Sequence, residues 1–347
     1  MDCTVYENCL QDQQVSIDMK NKDDLHMIAV GCWGVYCDDG DYIITKYKKG
    51  KVEPSEIKRG QRRVARALIE YVSRNDVTDM YLAGDNVYQL GVSATDGQAV
   101  AEFLKNKQKL VADLTGNEVD PLQNFNIEVQ ISEGFEKCFA EAKVDRFFLA
   151  IGNHDIENCH ILNTEYNYRG WNIPSLYYNV LYNMKDFKIN VIVLDTNMFE
   201  DKPVTCLNEP FTEDQIDSQV AWALSVAEKG DWNIVIGHIP YLANGHKKDK
   251  PLVLRKRLSE LIGSMSPQLY ICADEHNQQF IQTDKTAIVI AGSGGTALDK
   301  ILDHSIQGTL YQRSDFSFVS YRIGKNELVI SFISPENKVT FSHVLKR

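Results

Sequence analysis

The sequence predicts an α/β fold of the α+β, four-layer kind, in which two sheets pack in layers with helices outside. Two observations carry that expectation. Five short apolar runs, residues 27–30, 80–83, 147–151, 234–236 and 269–271, are each followed at once by a polar, glycine- or alanine-led loop. Continuous apolar runs of this length are the mark of strands buried on both faces, and polar loops at the carboxyl ends of such strands are where α/β sheets build their sites. The second observation is that strand and helix alternate up to about residue 270, after which strands dominate. An alternating block followed by a strand-rich one points to stacked sheets.

Taken in order, the elements between the loops read as helices. Residues 55–74 carry Ile57, Val64, Leu68 and Val72 at helical spacing behind Pro54, a start signal. Residues 97–114 show a weaker pattern through Val100, Phe103, Leu104 and Leu110. Residues 212–229 open with Thr212 and Gln215 at capping-box spacing and close before Gly230, read as a C′ glycine. A third helix is expected over 252–265. Strands are expected over 280–290, 318–323, 328–333 and 339–344, separated by turn clusters such as Gly324-Lys325-Asn326.

Composition narrows the class. The 347 residues are 44% hydrophobic, enough for a large core, and no Gly/Ser or Pro-rich linker divides them. One domain over 27–347 is expected, preceded by an extension over 1–26. With 37 basic and 48 acidic residues the net charge is −11, which argues against nucleic acid or an anionic membrane as partner. No run of about 18 apolar residues suits membrane insertion. Residues 1–26 show neither the basic nor the apolar region of a signal peptide. The eight cysteines avoid C-x-x-C spacing, which suits free thiols. A cytoplasmic or otherwise intracellular location is the expectation.

Chemistry concentrates in the five loops: Gly31-Cys32-Trp33-Gly34, Gly84-Asp85-Asn86-Val87-Tyr88, Gly152-Asn153-His154-Asp155, Gly237-His238-Ile239-Pro240 and Ala273-Asp274-Glu275-His276. Carboxylate, imidazole, amide oxygen and phenolate are the donors that hard and borderline cations take, and a two-metal hydrolase needs one ligand that bridges. Asp85 can bridge with its two oxygens. Asn153 offers a neutral oxygen, and His238 and His276 offer imidazoles.

In their order and in the stretches between them, these loops resemble a purple acid phosphatase of the small, mammalian-like type, within the calcineurin-like metallophosphoesterases. That family reads GDWG, GDNFYxxG, GNHD, GHxP and GHDHxxQ. Phe135-Glu136, the stretch from Arg169 to Ser175, Leu194-Asp195-Thr196, Gln219 with Trp222, and Ala291 to Gly295 match as well. The resemblance implies a metallophosphoesterase-like sandwich of two mixed β-sheets flanked by helices. It also implies a dinuclear metal centre, iron with iron, zinc or manganese. The first ion falls to Cys32, Asp85, Tyr88 and His276; the second to Asp85, Asn153, His238 and Asp274. His154 takes the role beside the leaving group, and His246, one residue short of the family spacing, that of a substrate-binding histidine. The implied reaction is hydrolysis of phosphomonoesters by attack of a metal-bound hydroxide.

Two ligand positions depart from the pattern. Cys32 stands where the family has Asp, and Asp274 where it has His; the fifth loop also carries Ala273 for Gly and Glu275 for Asp. Thiolate and carboxylate are both competent ligands, so two readings stand. One is an acid phosphatase-like enzyme with altered metal preference; the other is a catalytically degenerate phosphatase fold serving as a structural, anchoring or interaction component. Residues 36–51 and 95–126 look like insertions near the rim, where a protein partner could dock.

Overall fold

The structure is a computed structural model of the chain that describes residues 13–34, 41–48, 51–58, 60–88, 131–139, 141–157, 165, 167–168, 170–200, 210–245, 253–301 and 306–347. The long apolar runs become the centres of two mixed sheets. One has eight strands, in the order β1 (Gln13–Met19), β7 (Tyr178–Met184), β8 (Lys188–Val193), β9 (Trp232–Ile236), β10 (Leu269–Cys272), β12 (Ala287–Ala291), β11 (Gln278–Gln282) and β13 (Thr309–Arg313). The other has six, in the order β16 (Val339–Lys346), β15 (Glu327–Ile333), β14 (Phe318–Gly324), β2 (Asp24–Val30), β5 (Asp79–Ala83) and β6 (Arg146–Ala150).

Side-chain alternation divides each central strand between two cores. Met27, Ala29, Tyr81, Phe148, Val191, Ile234, Ile271 and Val289 meet between the sheets. Their neighbours Ile28, Val30, Met80, Leu82, Ile192, Val235, Tyr270 and Ile290 face outward to helices. Helix α1 (Gln61–Arg74) supplies Val64, Leu68 and Val72, α2 (Glu213–Val226) Ile216 and Ala223, and α3 (Val253–Met265) Leu258 and Ile262. Helix, sheet, sheet, helix is the expected four-layer order.

Several boundaries move. Residues 51–58 form β4 (Lys51–Lys58), antiparallel to β3 (Asp41–Lys48), so the helix expected from residue 55 starts at Gln61. Pairing with β3 outweighs the start signal of Pro54, and Ile57 belongs to the hairpin. The expected strand over 280–290 is two antiparallel strands, β11 and β12, turning at Asp284-Lys285. Gly230 is not a C′ residue, because α2 ends at Val226 with a right-handed Ala227 after it. Residues 13–26, set apart as an extension, supply β1, parallel to β7, and the start of β2. The helix expected over 97–114 and the insertion 95–126 lie outside the described residues; of 36–51, the described part is in the β3–β4 hairpin. Cys138 is disulfide-bonded, against the expectation of free thiols, whereas Cys32 and Cys272 are free and buried. No helix among the described residues is long and apolar enough to cross a membrane.

The topology places the site. Strands β2, β5 and β6 are parallel neighbours, and so are β9 and β10, so all five loops leave at carboxyl ends. Hydrogen bonds sew them together across the rim: Gly31 N to Ala291 O, Cys32 N to Gly84 O, and Ala273 N to His238 O.

Candidate metal centre

The loops turn sharply as they leave the strands. Cys32, Asp85 and Asp274 all adopt left-handed backbone, with φ of 53°, 53° and 63°. L residues pay for that conformation, and such strain gathers at functional sites when the surroundings enforce it. Enforcement is visible in the glycines. Gly84 has φ of 87°, and a Cβ there would strike the His238 ring; one on Gly152 would strike Asp85, and one on Gly34 would strike Asn86.

Buried polar contacts lock each loop. Asp155 accepts from Asn86 N, Val87 N and Gly152 N at 2.7–3.0 Å, tying the second loop to the third. Thr196 Oγ1 accepts from His238 N and Ile239 N, setting the fourth loop. Gln219 of α2 in turn grips both backbone groups of Asp195. Trp33 packs edge-on against Phe139 and Trp171 and donates to Asn86 Oδ1, clamping the first loop. These contacts give physical roles to the stretches that matched outside the loops.

At the centre lies Asp85, 1% exposed. Its Oδ2 accepts from Tyr88 Oη at 2.8 Å and lies 3.8 Å from Cys32 Sγ. Its Oδ1 accepts from His154 N at 3.1 Å and faces His238 Nε2 at 3.2 Å. Around that same His238 nitrogen stand Asn153 Oδ1 at 3.2 Å and Asp274 Oδ1 at 3.8 Å. The ring is fixed from behind, since Nδ1 donates to Ala83 O at 2.8 Å. A carbonyl can only accept, so Nε2 is the atom turned inward, as in metal-ligating histidines. His276 is held alike, with Nδ1 donating to Ala297 O at 2.9 Å.

The donor set therefore fits metal ions. Among the described residues, Cys32, Asp85 and His238 bring ligand atoms within 4.8 Å of one another. Electrostatics agrees. Burial would lower the His238 pKa, but the charge and hydrogen bond of Asp85, with Asp274 behind, raise it to about 9. The carboxylate charges that favour the protonated imidazole also favour a metal cation there. Burial pushes the Cys32 thiol and Tyr88 phenol well up, and the Asp85 charge adds to it. Both stay protonated until a cation draws the proton off.

His154 sits at the edge with its ring against Tyr88, centroids 4.5 Å apart, and its Nδ1 on Glu157 Oε1 at 2.7 Å. Burial alone would lower its pKa, but Asp85 and Glu157 outweigh burial and raise it. The structure thus brings together Cys32, Asp85, Tyr88, Asn153, His154, His238 and Asp274. His276 is fixed on the same rim but does not complete a group of three within 4.8 Å, and His246 lies outside the described residues. Sequence reasoning missed Glu157, Glu200 and Arg255. Asp155 belongs to a quoted loop but was given no role; for the others, single charges outside the loops, no signal was available.

Known proteins resemble this chain in sequence and fold. The chain is 24% identical over 251 residues to tartrate-resistant acid phosphatase type 5 of Rattus norvegicus, covering 63% of this chain and 72% of the relative. It is 26% identical over 195 residues to glideosome-associated protein 50 of Plasmodium falciparum, covering 52% and 48%. Among solved structures, GAP50, described as the anchor in the inner membrane complex of Plasmodium, superposes with a TM-score of 0.66 at 19% identity, covering 94% of this chain and 89% of that one. The purple acid phosphatase PPD1 of yellow lupin (Lupinus luteus) superposes at 0.61 and 12% identity, covering 95% and 55%. The calcineurin-like phosphoesterase profile matches residues 24–278, a span that contains all five loops, and the chain belongs to that family.

Proposed function

We propose that this chain is a metal-dependent phosphomonoester hydrolase of the acid phosphatase type. The observation that carries the reading is the inward convergence of Asp85, Asn153 and Asp274 oxygens on His238 Nε2, with Tyr88 and Cys32 on the other oxygen of Asp85. The centre is proposed to be dinuclear, iron with iron, zinc or manganese. Ions bound there supply Lewis acidity, holding phosphate oxygens and activating water. The chain's own residues do the rest. Asp85, with Oδ1 toward His238 and Oδ2 toward Tyr88 and Cys32, would offer an oxygen to an ion in either half. His154, oriented by Glu157, donates a proton toward the leaving oxygen. Buried walls exclude bulk water, which strengthens each charge interaction.

The test is metal analysis of protein expressed with iron, zinc and manganese, coupled to p-nitrophenyl phosphate turnover from acid to neutral pH. Bound ions and turnover are expected, with His154→Ala lowering kcat by about 10²-fold or more. Protein that binds no ion and turns over no substrate under any of these conditions refutes the reading.

The replaced donors Cys32 and Asp274 favour a second reading, supported by the likeness to GAP50: a phosphatase fold kept as an anchoring or interaction component. A partner would then dock through residues 36–51 and 95–126. Under that reading Asp85→Asn and His154→Ala leave partner capture intact, whereas an enzyme loses its activity with either.

A further inference from the structure

Asp274 has partners of two kinds. Its Oδ1 faces His238 Nε2 at 3.8 Å, while its Oδ2 faces Arg255 Nη2 at 4.0 Å. Arg255, in the first turn of α3, is not a solvated cation. Its side chain is 12% exposed, and its Nε donates to Glu200 Oε1 at 2.7 Å, a carboxylate equally shielded. Glu200 follows the 3₁₀ turn Thr196–Phe199, which begins at the residue that sets the fourth loop. The guanidinium is thus held from one side by a rigid carboxylate and presented to Asp274 on the other. Acid and base alternate from Asp85 through His238, Asp274 and Arg255 to Glu200.

The two cations of this series differ in kind. Imidazole has a neutral form that serves as a ligand, whereas a guanidinium is a permanent cation with no acceptor atom. A cation bound at Asp274 therefore shares that carboxylate with a permanent positive charge and is repelled by it at short range, in a partly buried setting that screens little. On the other half of the centre, Asp85 Oδ2 meets Cys32 Sγ at 3.8 Å and Tyr88 Oη at 2.8 Å.

Resting on the metal-centre reading, we propose that Arg255, held by Glu200, is a built-in counter-charge to Asp274 that makes the centre asymmetric. The ion on Asp85, Asn153, His238 and Asp274 binds more weakly than the ion beside it and exchanges with solvent. Arg255 is a positioning residue, since it acts through Asp274. The carboxylate in place of imidazole also directs that position toward a harder ion, manganese over zinc.

The experiment is calorimetric titration of the full chain with Mn²⁺, with bound metal counted after gel filtration, in the wild type and in Arg255→Gln, Arg255→Met and Arg255→Lys. Two unequal sites are expected in the wild type. Either uncharged variant tightens the weaker site by about tenfold, from relief of charge repulsion, and the lysine variant, which keeps the charge, restores the asymmetry. Arg255→Met preserves the apolar stem in case the glutamine variant folds poorly. Two equal sites in the wild type, or no tightening in either uncharged variant, overturn the inference while the metal centre stands. No Mn²⁺, zinc or iron bound by any form overturns the inference together with the reading beneath it.

Discussion

At Cys32 a thiol occupies a left-handed backbone position, φ 53°, that aspartate visits more readily than cysteine. With metal bound to offset the added buried charge, Cys32→Asp is therefore expected to fold as well as the wild type and to shift the centre toward hard ions. Competition between zinc and manganese measures this, with manganese gaining about tenfold relative to zinc; an unchanged ratio shows that position 32 does not ligate. A second residue governs acid stability, relevant to any assay at low pH. His26 is buried, with Nε2 on Ser320 Oγ at 2.8 Å, and burial, then the charge of Arg322, lowers its pKa to about 4. The unfolded chain binds a proton there below about pH 6.5 and the folded chain does not until about pH 4. Stability accordingly falls as pH drops through that window and levels off beneath it. Urea unfolding at pH 7 and pH 5 checks the sign: the wild type loses on the order of 1–2 kcal/mol between them from this group, and His26→Phe loses correspondingly less.

Among the elements, α2 is the one whose start is written most openly. Thr212 Oγ1 accepts from Gln215 N, and the Gln215 side chain accepts from Thr212 N. Thr212→Ala is expected to cost about 1 kcal/mol in urea unfolding, and a loss below a few tenths means the cap is idle. That box was legible because its residues act locally. Strands β7 and β8 were not, because buried asparagines interrupt their apolar runs: Asn179 donates to Asn190 Oδ1, and Asn190 donates to Val226 O. Their meaning depends on partners 11 and 36 residues away, which no local pattern reveals. Strand β1 is an edge strand with polar residues facing out, and read as an extension for that reason. The candidate site divides the same way. Asp85, Asn153 and His238 stand in short motifs directly after apolar strands, so order and spacing betrayed them. Arg255 reaches Asp274 from a helix and Glu200 holds Arg255 from the end of a 3₁₀ turn, and a lone charge on either reads as a solvated face.

For the whole molecule, the disulfide at Cys138 ties chemistry to redox state. Cys138 adjoins Phe139, whose ring meets Trp33 edge-on at 5.4 Å, and Trp33 clamps the loop that carries Cys32. A bond here restrains the unfolded chain and also braces the wall of the centre. Disulfides persist under oxidising conditions and open under reducing ones. Alkylation of the unfolded, unreduced protein should leave at least two of its eight cysteines unmodified. Reductant should then lower stability by roughly 2–4 kcal/mol, and Cys138→Ser should reproduce the loss and abolish the response to reductant. Because the strain at Cys32, Asp85 and Asp274 is held by packing and by buried hydrogen bonds that the wall supports, the reduced form should also release metal at a lower chelator concentration than the oxidised one. Equal thermal midpoints and equal metal retention in both redox states would separate the bond from the centre and leave the Trp33 clamp to aromatic packing alone.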